Sequence, residues 1–185
     1  MKKLIVLTHP NIGASQANRR WLEEARRIER EFTLHQLYQV YPSGTPLDVE
    51  AEQARLLAHD AVILQFPLYW FSTPPLLKQW LDEVLLPGFA YGRQETERRL
   101  AGKRFGLVIS AGIRERDYRR EGRYHYTINE ILAPLYATLS YIGAHCARPF
   151  VLYGIEYDPT NPAPEDASAE IEASVGPYVD YLRSV

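Results

Sequence analysis

Cysteine is almost absent from this sequence, since Cys146 is the only one in 185 residues. A single cysteine excludes an intrachain disulfide framework and a cysteine-based metal cluster. Long apolar runs are also missing. The first run, Leu4–Leu7, ends at His9 and Pro10 and is too short for a secretory signal, and no stretch approaches the ~20 residues of a membrane span. We therefore expect a protein of the reducing cytoplasm.

Several motifs and a strong charge are missing as well. The formal net charge is −2, which argues against nucleic-acid binding. Neither G-x-x-x-x-G-K-[ST] nor G-x-G-x-x-G occurs, which argues against nucleotide triphosphate hydrolysis and a Rossmann dinucleotide site. A G-x-S-x-G nucleophile elbow and metal-ligand spacings are absent too. We expect His35 and His59 on exposed surfaces, His145 at the start of a strand, and Cys146 as an inert thiol in a buried strand.

Short apolar runs alternate with helical periodicity along the whole chain. Strands are predicted at residues 4–7, 32–37, 61–66, 105–110 and 145–152. Helices are predicted from Ser15, from Asp48 to about His59, from the pair Pro74–Pro75, over residues 128–142 and over 171–182. This alternation indicates a parallel sheet with helices on both faces. We predict one α/β domain over residues 1–185, a flavodoxin-like three-layer sandwich with a five-stranded sheet of order 2-1-3-4-5.

In this topology the loops after strands 1, 3 and 4 open at one edge of the sheet, where ligands bind. The first loop contains His9, Ser15, Gln16, Ala17 and Asn18. Free amides at the start of the following helix suit a phosphate group. An ordinary capped loop is an equally good interpretation of these residues alone.

The second loop carries three consecutive aromatic residues in the run Pro67, Leu68, Tyr69, Trp70 and Phe71. Exposed aromatic residues need a cover, and a flat heteroaromatic ring such as isoalloxazine would provide one. A local core plug or a dimer contact is the alternative. The third loop begins with the small residues Ser110, Ala111 and Gly112, which would let a ligand plane approach the backbone.

Together these motifs resemble a known family. His9-Pro with Ser15-Gln-Ala-Asn18, Pro67-Leu-Tyr-Trp-Phe71 and Gly88-Phe-Ala-Tyr-Gly92 are similar to the flavodoxin-like NAD(P)H quinone oxidoreductases. That family includes DT-diaphorase, bacterial modulators of drug activity and the ancillary oxidoreductases of glutathione-gated potassium efflux systems. The resemblance reaches to about Gly154 and implies a flavin cofactor, with NAD(P)H as donor, a quinone-like acceptor and a homodimer. The short chain and the close match favour FMN, and FAD is the alternative.

The resemblance also implies roles by position. His9, Ser15, Ala17 and Asn18 would meet the flavin phosphate and ribityl chain, and residues 68–71 would hold the isoalloxazine edge. Where the family has Thr-Thr-Gly-Gly, this chain has Ser110, Ala111, Gly112 and Ile113, which lacks one hydroxyl and one glycine. His125 takes the position of the active-site histidine, and Tyr118 and Tyr124 both fit that of the loop tyrosine.

A dense basic loop has two possible interpretations. It contains Arg114, Arg116, Arg119, Arg120 and Arg123, and it is either a solvated mobile loop or a clamp for pyridine-nucleotide phosphates.

The function we predict is a two-step, ping-pong transfer of a hydride from NAD(P)H through flavin to a quinone-like acceptor. The rival is a regulatory subunit that docks on a membrane potassium-efflux transporter. A flavodoxin-like electron carrier is disfavoured by the near-neutral charge. Tyr91, Tyr124 and Tyr126 are the aromatic residues that a symmetric dimer would bury.

Overall fold

A twisted parallel sheet organises the protein. The computed structural model describes residues 1–155 and 165–185. The strands are β1 (Lys3–Leu7), β2 (Phe32–Gln36), β3 (Ala61–Pro67), β4 (Arg104–Ser110), β5 (His145–Cys146) and β6 (Phe150–Leu152). All pair in parallel in the order β2-β1-β3-β4-β5, and β6 also pairs with β4. The predicted fold and strand order are confirmed.

The fifth strand is broken, where the sequence predicted one strand over residues 145–152. Phe105 lies opposite Cys146, whereas Val108 lies opposite Phe150. Between these two pairs, the segment that contains β5 and β6 has one residue more than β4. One extra residue on one strand is the defining feature of a β-bulge. Pro149 lies in the interruption and has no N–H to give to a ladder. The sheet consequently has six strand segments.

Helices cover both faces of the sheet. They are α1 (Ala17–Arg27), α2 (Leu37–Val40), α3 (Val49–Leu57), α4 (Pro75–Val84), α5 (Ile128–Ile131), α6 (Ala133–Tyr141) and α7 (Glu165–Ser184). Ile5 of β1 packs with α1 and α7, while Leu4 and Val6 pack with α3, α4 and α6. β1 is thus buried on both faces, as its continuous apolar run predicted. Within the described residues, no helix is both long and apolar enough to cross a membrane.

The helix predicted over residues 128–142 is two helices. It breaks at Leu132, between α5 and α6. Pro134 lacks the N–H that would continue the ladder to Glu130, so the backbone turns there. Thr127 caps α5 by accepting a hydrogen bond from the Glu130 N–H at 3.2 Å.

Two histidines predicted to be exposed are buried. His59 is wedged at the end of α3, where its ring bonds Thr33 Oγ1 at 2.7 Å. His35 bonds the buried carboxylate of Glu52 at 3.0 Å, and Tyr41 and Trp80 donate to the same carboxylate at 2.9 and 2.8 Å. Burial raises the pKa of Glu52, but these hydrogen bonds outweigh it and hold the pKa below its ordinary value. The prediction was wrong because strand alternation at the sheet edge does not reveal a polar partner contributed by a helix.

Candidate active site

A cavity of about 400 Å³ opens at the carboxyl ends of β1, β3 and β4. Its volume lies within the range of small-molecule and cofactor sites. It is lined by His9, Asn11, Ala14, Ser15, Gln16, Ala17, Pro67, Leu68, Tyr69, Ser110, Gly112 and Ile155. The three loops singled out in the sequence therefore converge on one site.

The β1–α1 loop presents free amide groups to this cavity. A short 3-10 helix, Ile12–Ala14, is capped by Asn11, and Ser15 Oγ accepts from the Asn18 N–H at 3.1 Å. The amides of Gln16 and Ala17 find no hydrogen-bond acceptor among the described residues. Unpaired amides at the N-terminus of an 11-residue helix are suited to bind an anion.

The cavity wall is nearly free of charge. In the described part of the chain, its lining includes no Lys, Arg, Asp or Glu. His9 is half-buried, and burial lowers its pKa to about 4, so its ring is neutral at physiological pH. His9 Nδ1 accepts from the Asn11 N–H at 3.2 Å, so the remaining ring proton is on Nε2. An anion here would be held by backbone amides and the helix dipole rather than by a cation.

The aromatic loop forms a strained turn beside the cavity. Tyr69 and Ser72 exchange backbone hydrogen bonds of 2.9 and 2.8 Å, and both intervening residues have positive φ, 48° at Trp70 and 60° at Phe71. Such a turn normally carries Asn-Gly. Only Tyr69 of the three aromatic residues lines the cavity, whereas Trp70 is 91% exposed. Strain retained at bulky residues is typical of functional loops.

Five of the proposed cofactor residues lie behind or beside the cavity instead of lining it. Asn18 is fully buried and donates to Ser110 Oγ at 2.7 Å, so it supports the wall. Ala111 is buried and bonds Leu152 O at 2.8 Å, and the Ile113 carbonyl accepts from the Gly154 N–H at 3.0 Å. Trp70 and Phe71 project from the turn.

The three candidate catalytic residues also lie outside the cavity lining. Tyr118 is buried, with its ring centroid 5.5 Å from that of Tyr153. Tyr124 packs on Phe71 at 5.1 Å, which joins the basic loop to the aromatic turn. His125 is exposed, with φ 60° and its Nδ1 3.1 Å from Arg120 O.

Sequence reasoning missed Asn11, Ala14 and Ile155 in the wall. Asn11 and Ala14 lie within the predicted loop but were not selected. Ile155 follows the fifth strand, and its N–H bonds Ala111 O at 3.2 Å. Because β6 lies parallel to β4, the loop after it had to reach the same edge of the sheet. The predicted topology could therefore have identified a residue after the fifth strand as part of the wall.

Comparison with known proteins decides the family. The model of the flavodoxin-like fold family matches residues 1–175. The chain belongs to this family. An uncharacterized NAD(P)H oxidoreductase of Bacillus subtilis, YrkL, is 40% identical over 184 residues, which cover 100% of this chain and 99% of that protein. The resemblance noted from the sequence motifs is thereby confirmed.

Further relatives bear on cofactor and role. General stress protein 14 from Treponema denticola, whose crystal structure was determined in complex with FMN, is 40% identical in sequence to this chain. The two structures have a TM-score of 0.89, and the match covers 100% of this chain and 99% of that one. An NADPH-quinone reductase from P. pentosaceus is 29% identical, with a TM-score of 0.77 over 100% and 97%. The potassium-efflux ancillary protein KefG of Cronobacter sakazakii is 40% identical over 152 residues, covering 82% of this chain and 80% of that protein.

Proposed function

We propose that this protein is an FMN-dependent NAD(P)H oxidoreductase that reduces quinone-like acceptors. The observation that carries the proposal is the cavity at the sheet edge, where two helix amides without an acceptor in the described structure meet a wall whose described residues are uncharged and partly aromatic. The similarity to an NAD(P)H oxidoreductase, to an FMN complex and to an NADPH-quinone reductase supports it.

The cavity residues fit a flavin mononucleotide. Gln16 and Ala17 would hold the phosphate through their amides, and Ser15 through its hydroxyl. Pro67–Tyr69 and Ser110–Gly112 would hold the ring, since Gly112 brings no side chain into the cavity and Tyr69 offers an aromatic surface. When bound, the flavin supplies a ring that accepts a hydride from NAD(P)H and passes two electrons to the acceptor.

The aromatic turn and the basic loop, which are joined by the contact of Phe71 with Tyr124, would border the entrance for the substrates. Arg114, Arg116 and Arg119 are exposed and form no ion pair within the described residues, so they are available to nucleotide phosphates. Arg120 instead pairs with Glu130 at 2.7 Å. Because NAD(P)H and acceptor would use one opening in turn, we expect ping-pong kinetics. His125, Tyr118 and Tyr124 remain our candidates for hydrogen-bond donors to the acceptor, brought in by movement of this loop.

The cofactor proposal is tested with a charge placed at the anion site. Ala14 is exposed and lines the cavity, so Ala14→Glu adds a carboxylate there without disturbing the core. We expect FMN affinity of the flavin-free protein to fall at least about tenfold, because two negative charges then share the site. Ala54→Glu, on an exposed position of α3, is the matched control. Equal FMN affinity in both variants, or no FMN binding by the wild type, would overturn the proposal.

A homodimer is the assembly we propose, through the face formed by α4 and α6. A groove of about 610 Å³ lies between these helices, with Tyr91 and Tyr141 packed together at 5.2 Å on its rim. The sequence of α6 has no charged residue, although several of its positions are exposed. The exposed ion pair of Lys78 and Asp82, 2.6 Å apart, also lines this groove. Adjacent opposite charges suit a self-complementary, two-fold contact.

The dimer is tested by light scattering at micromolar concentration. Ala137→Arg introduces a charge on the exposed face of α6 and should give a monomer. Ala54→Arg, on α3, should leave the dimer intact. A wild-type protein that is monomeric with flavin bound would refute the proposal, and so would an Ala137→Arg variant that stays dimeric.

A second candidate function follows from the similarity to KefG. In this alternative, the protein is an ancillary subunit of a potassium-efflux transporter. The exposed Trp70 at the tip of the strained turn would then serve as a contact residue. Co-purification with a membrane transporter that is lost in Trp70→Ala, with NADPH oxidation retained, would support the ancillary role and show that Trp70 serves docking separately from catalysis.

A further inference from the structure

A chain of side-chain hydrogen bonds runs from α7 through the sheet to the cavity wall. The Tyr178 hydroxyl donates to Gln65 Oε1 at 2.9 Å, and Gln65 Nε2 donates to Asn18 Oδ1 at 3.2 Å. Asn18 Nδ2 then donates to Ser110 Oγ at 2.7 Å. Tyr178, Gln65 and Asn18 are at most 1% exposed, whereas Ser110 lines the cavity. Only the last member of the chain can reach a ligand.

The direction of this chain is fixed by its buried end. Burial raises the pKa of Tyr178, so the phenol keeps its proton, and Gln65 Oε1 is its acceptor in the described residues. A reversed chain would turn both amides over and leave the Tyr178 proton without a partner. An unsatisfied buried donor costs roughly 1–3 kcal/mol, so the order with Tyr178 as first donor prevails.

Packing holds Tyr178 in place without any ligand. Its ring stacks on Trp21 of α1, with centroids 5.4 Å apart and an interplanar angle of 10°. Trp21 is itself anchored, because its Nε1–H donates to Ser174 Oγ at 2.9 Å. The starting point of the chain is therefore set by the packing of α1 against α7 and is shielded from water.

At the cavity end of this hydrogen-bond chain, the Ser110 hydroxyl is left free to donate. Ser110 Oγ accepts from Asn18, and its own proton has no acceptor among the described side chains and backbone groups. We propose that Tyr178 is a positioning residue that makes the Ser110 hydroxyl a hydrogen-bond donor to the bound ligand. This deepens the proposed function and rests on it. Ser110 selects an acceptor atom of the cofactor, such as a carbonyl oxygen, an unprotonated ring nitrogen or a phosphate oxygen, and disfavours an N–H at that point.

The proposal is tested first by a double-mutant cycle on FMN binding. Tyr178→Phe removes the proton that sets the order and should weaken FMN binding to the flavin-free protein by about fivefold, the net value of one hydrogen bond. In a Ser110→Ala background, Tyr178→Phe should have no further effect on FMN affinity. Additive effects of the two substitutions would overturn the proposal.

A matched control separates this effect from a loss of stability. Tyr181 is on the same helix, and its hydroxyl accepts from the Leu107 N–H at 2.9 Å but takes no part in the chain. Tyr181→Phe should lower the urea midpoint and leave FMN affinity unchanged. An equal loss of FMN affinity in Tyr181→Phe and Tyr178→Phe would show that Tyr178 is merely structural.

Neutron diffraction from the deuterated, flavin-free protein tests the order without any ligand. We expect the Ser110 deuteron to point away from Asn18 and an Asn18 amide deuteron to point toward Ser110 Oγ. A Ser110 deuteron directed at Asn18 would overturn the inference. If the wild type fails to bind FMN, the proposed function falls, while the neutron map still decides the order of the chain.

Discussion

Trp70→Asn should stabilise the protein while impairing its function. Trp70 has φ 48°, and a left-handed backbone costs an ordinary L-residue about 1–2 kcal/mol, a cost that asparagine largely avoids. Trp70 is also 91% exposed, so its removal gives up little burial. We expect the free energy of unfolding to rise by about 1 kcal/mol, or Tm by about 2–4 °C for a chain of this size.

The assay is urea unfolding of the flavin-free protein in the Ala137→Arg background, so that a subunit interface does not contribute. Tyr126→Asn is the matched control, since Tyr126 is exposed and lacks positive φ. We expect it to change stability by no more than about 0.5 kcal/mol. Binding of FMN or acceptor should weaken in Trp70→Asn alone, as expected where strain is kept for function. A Trp70→Asn variant less stable than Tyr126→Asn would refute this reasoning.

Three further outcomes are expected. Glu52→Gln should cost about 3 kcal/mol in urea unfolding, because an NH2 group replaces one of the two carboxylate oxygens that accept from buried donors. Glu50→Gln on the exposed side of α3 should be nearly neutral. Burial lowers the pKa of His9 from 6.5 to about 4, so between these pH values the unfolded chain binds more protons than the folded one. The free energy of unfolding is therefore not reduced by His9 above pH 6.5 and decreases as the pH falls below it. His9→Asn should therefore lose less stability than wild type, by about 1–2 kcal/mol, between pH 7.5 and pH 5, and an unchanged pH dependence would contradict this. His125→Ala should slow the half-reaction with quinone more than that with NAD(P)H in stopped-flow traces, and an unchanged quinone rate would exclude His125 as the donor.

The sequence alone determined the strand order of the sheet and the edge at which the candidate cavity lies. Continuous apolar runs such as residues 4–7 predict strands buried on both faces, and their alternation with helices leaves few parallel topologies. Once the order 2-1-3-4-5 is chosen, the loops after β1, β3 and β4 must meet at one edge. Lining residues of those loops such as His9, Pro67 and Gly112 were therefore predictable from local pattern and topology, whereas Asn11 and Ala14 were not selected.

Only the tertiary structure decided which polar side chains face the cavity and which support its wall. Asn18 is one residue from Ala17 along the chain, yet it points into the sheet, where Gln65 and Ser110 bind it. His35 likewise finds Glu52 on a helix 17 residues away. The physical reason is that periodicity reports burial averaged along one element, whereas a buried polar group is placed by a partner on another element. Hydrogen bonding between distant segments has no local signature, and the polar framework of this site depends on it.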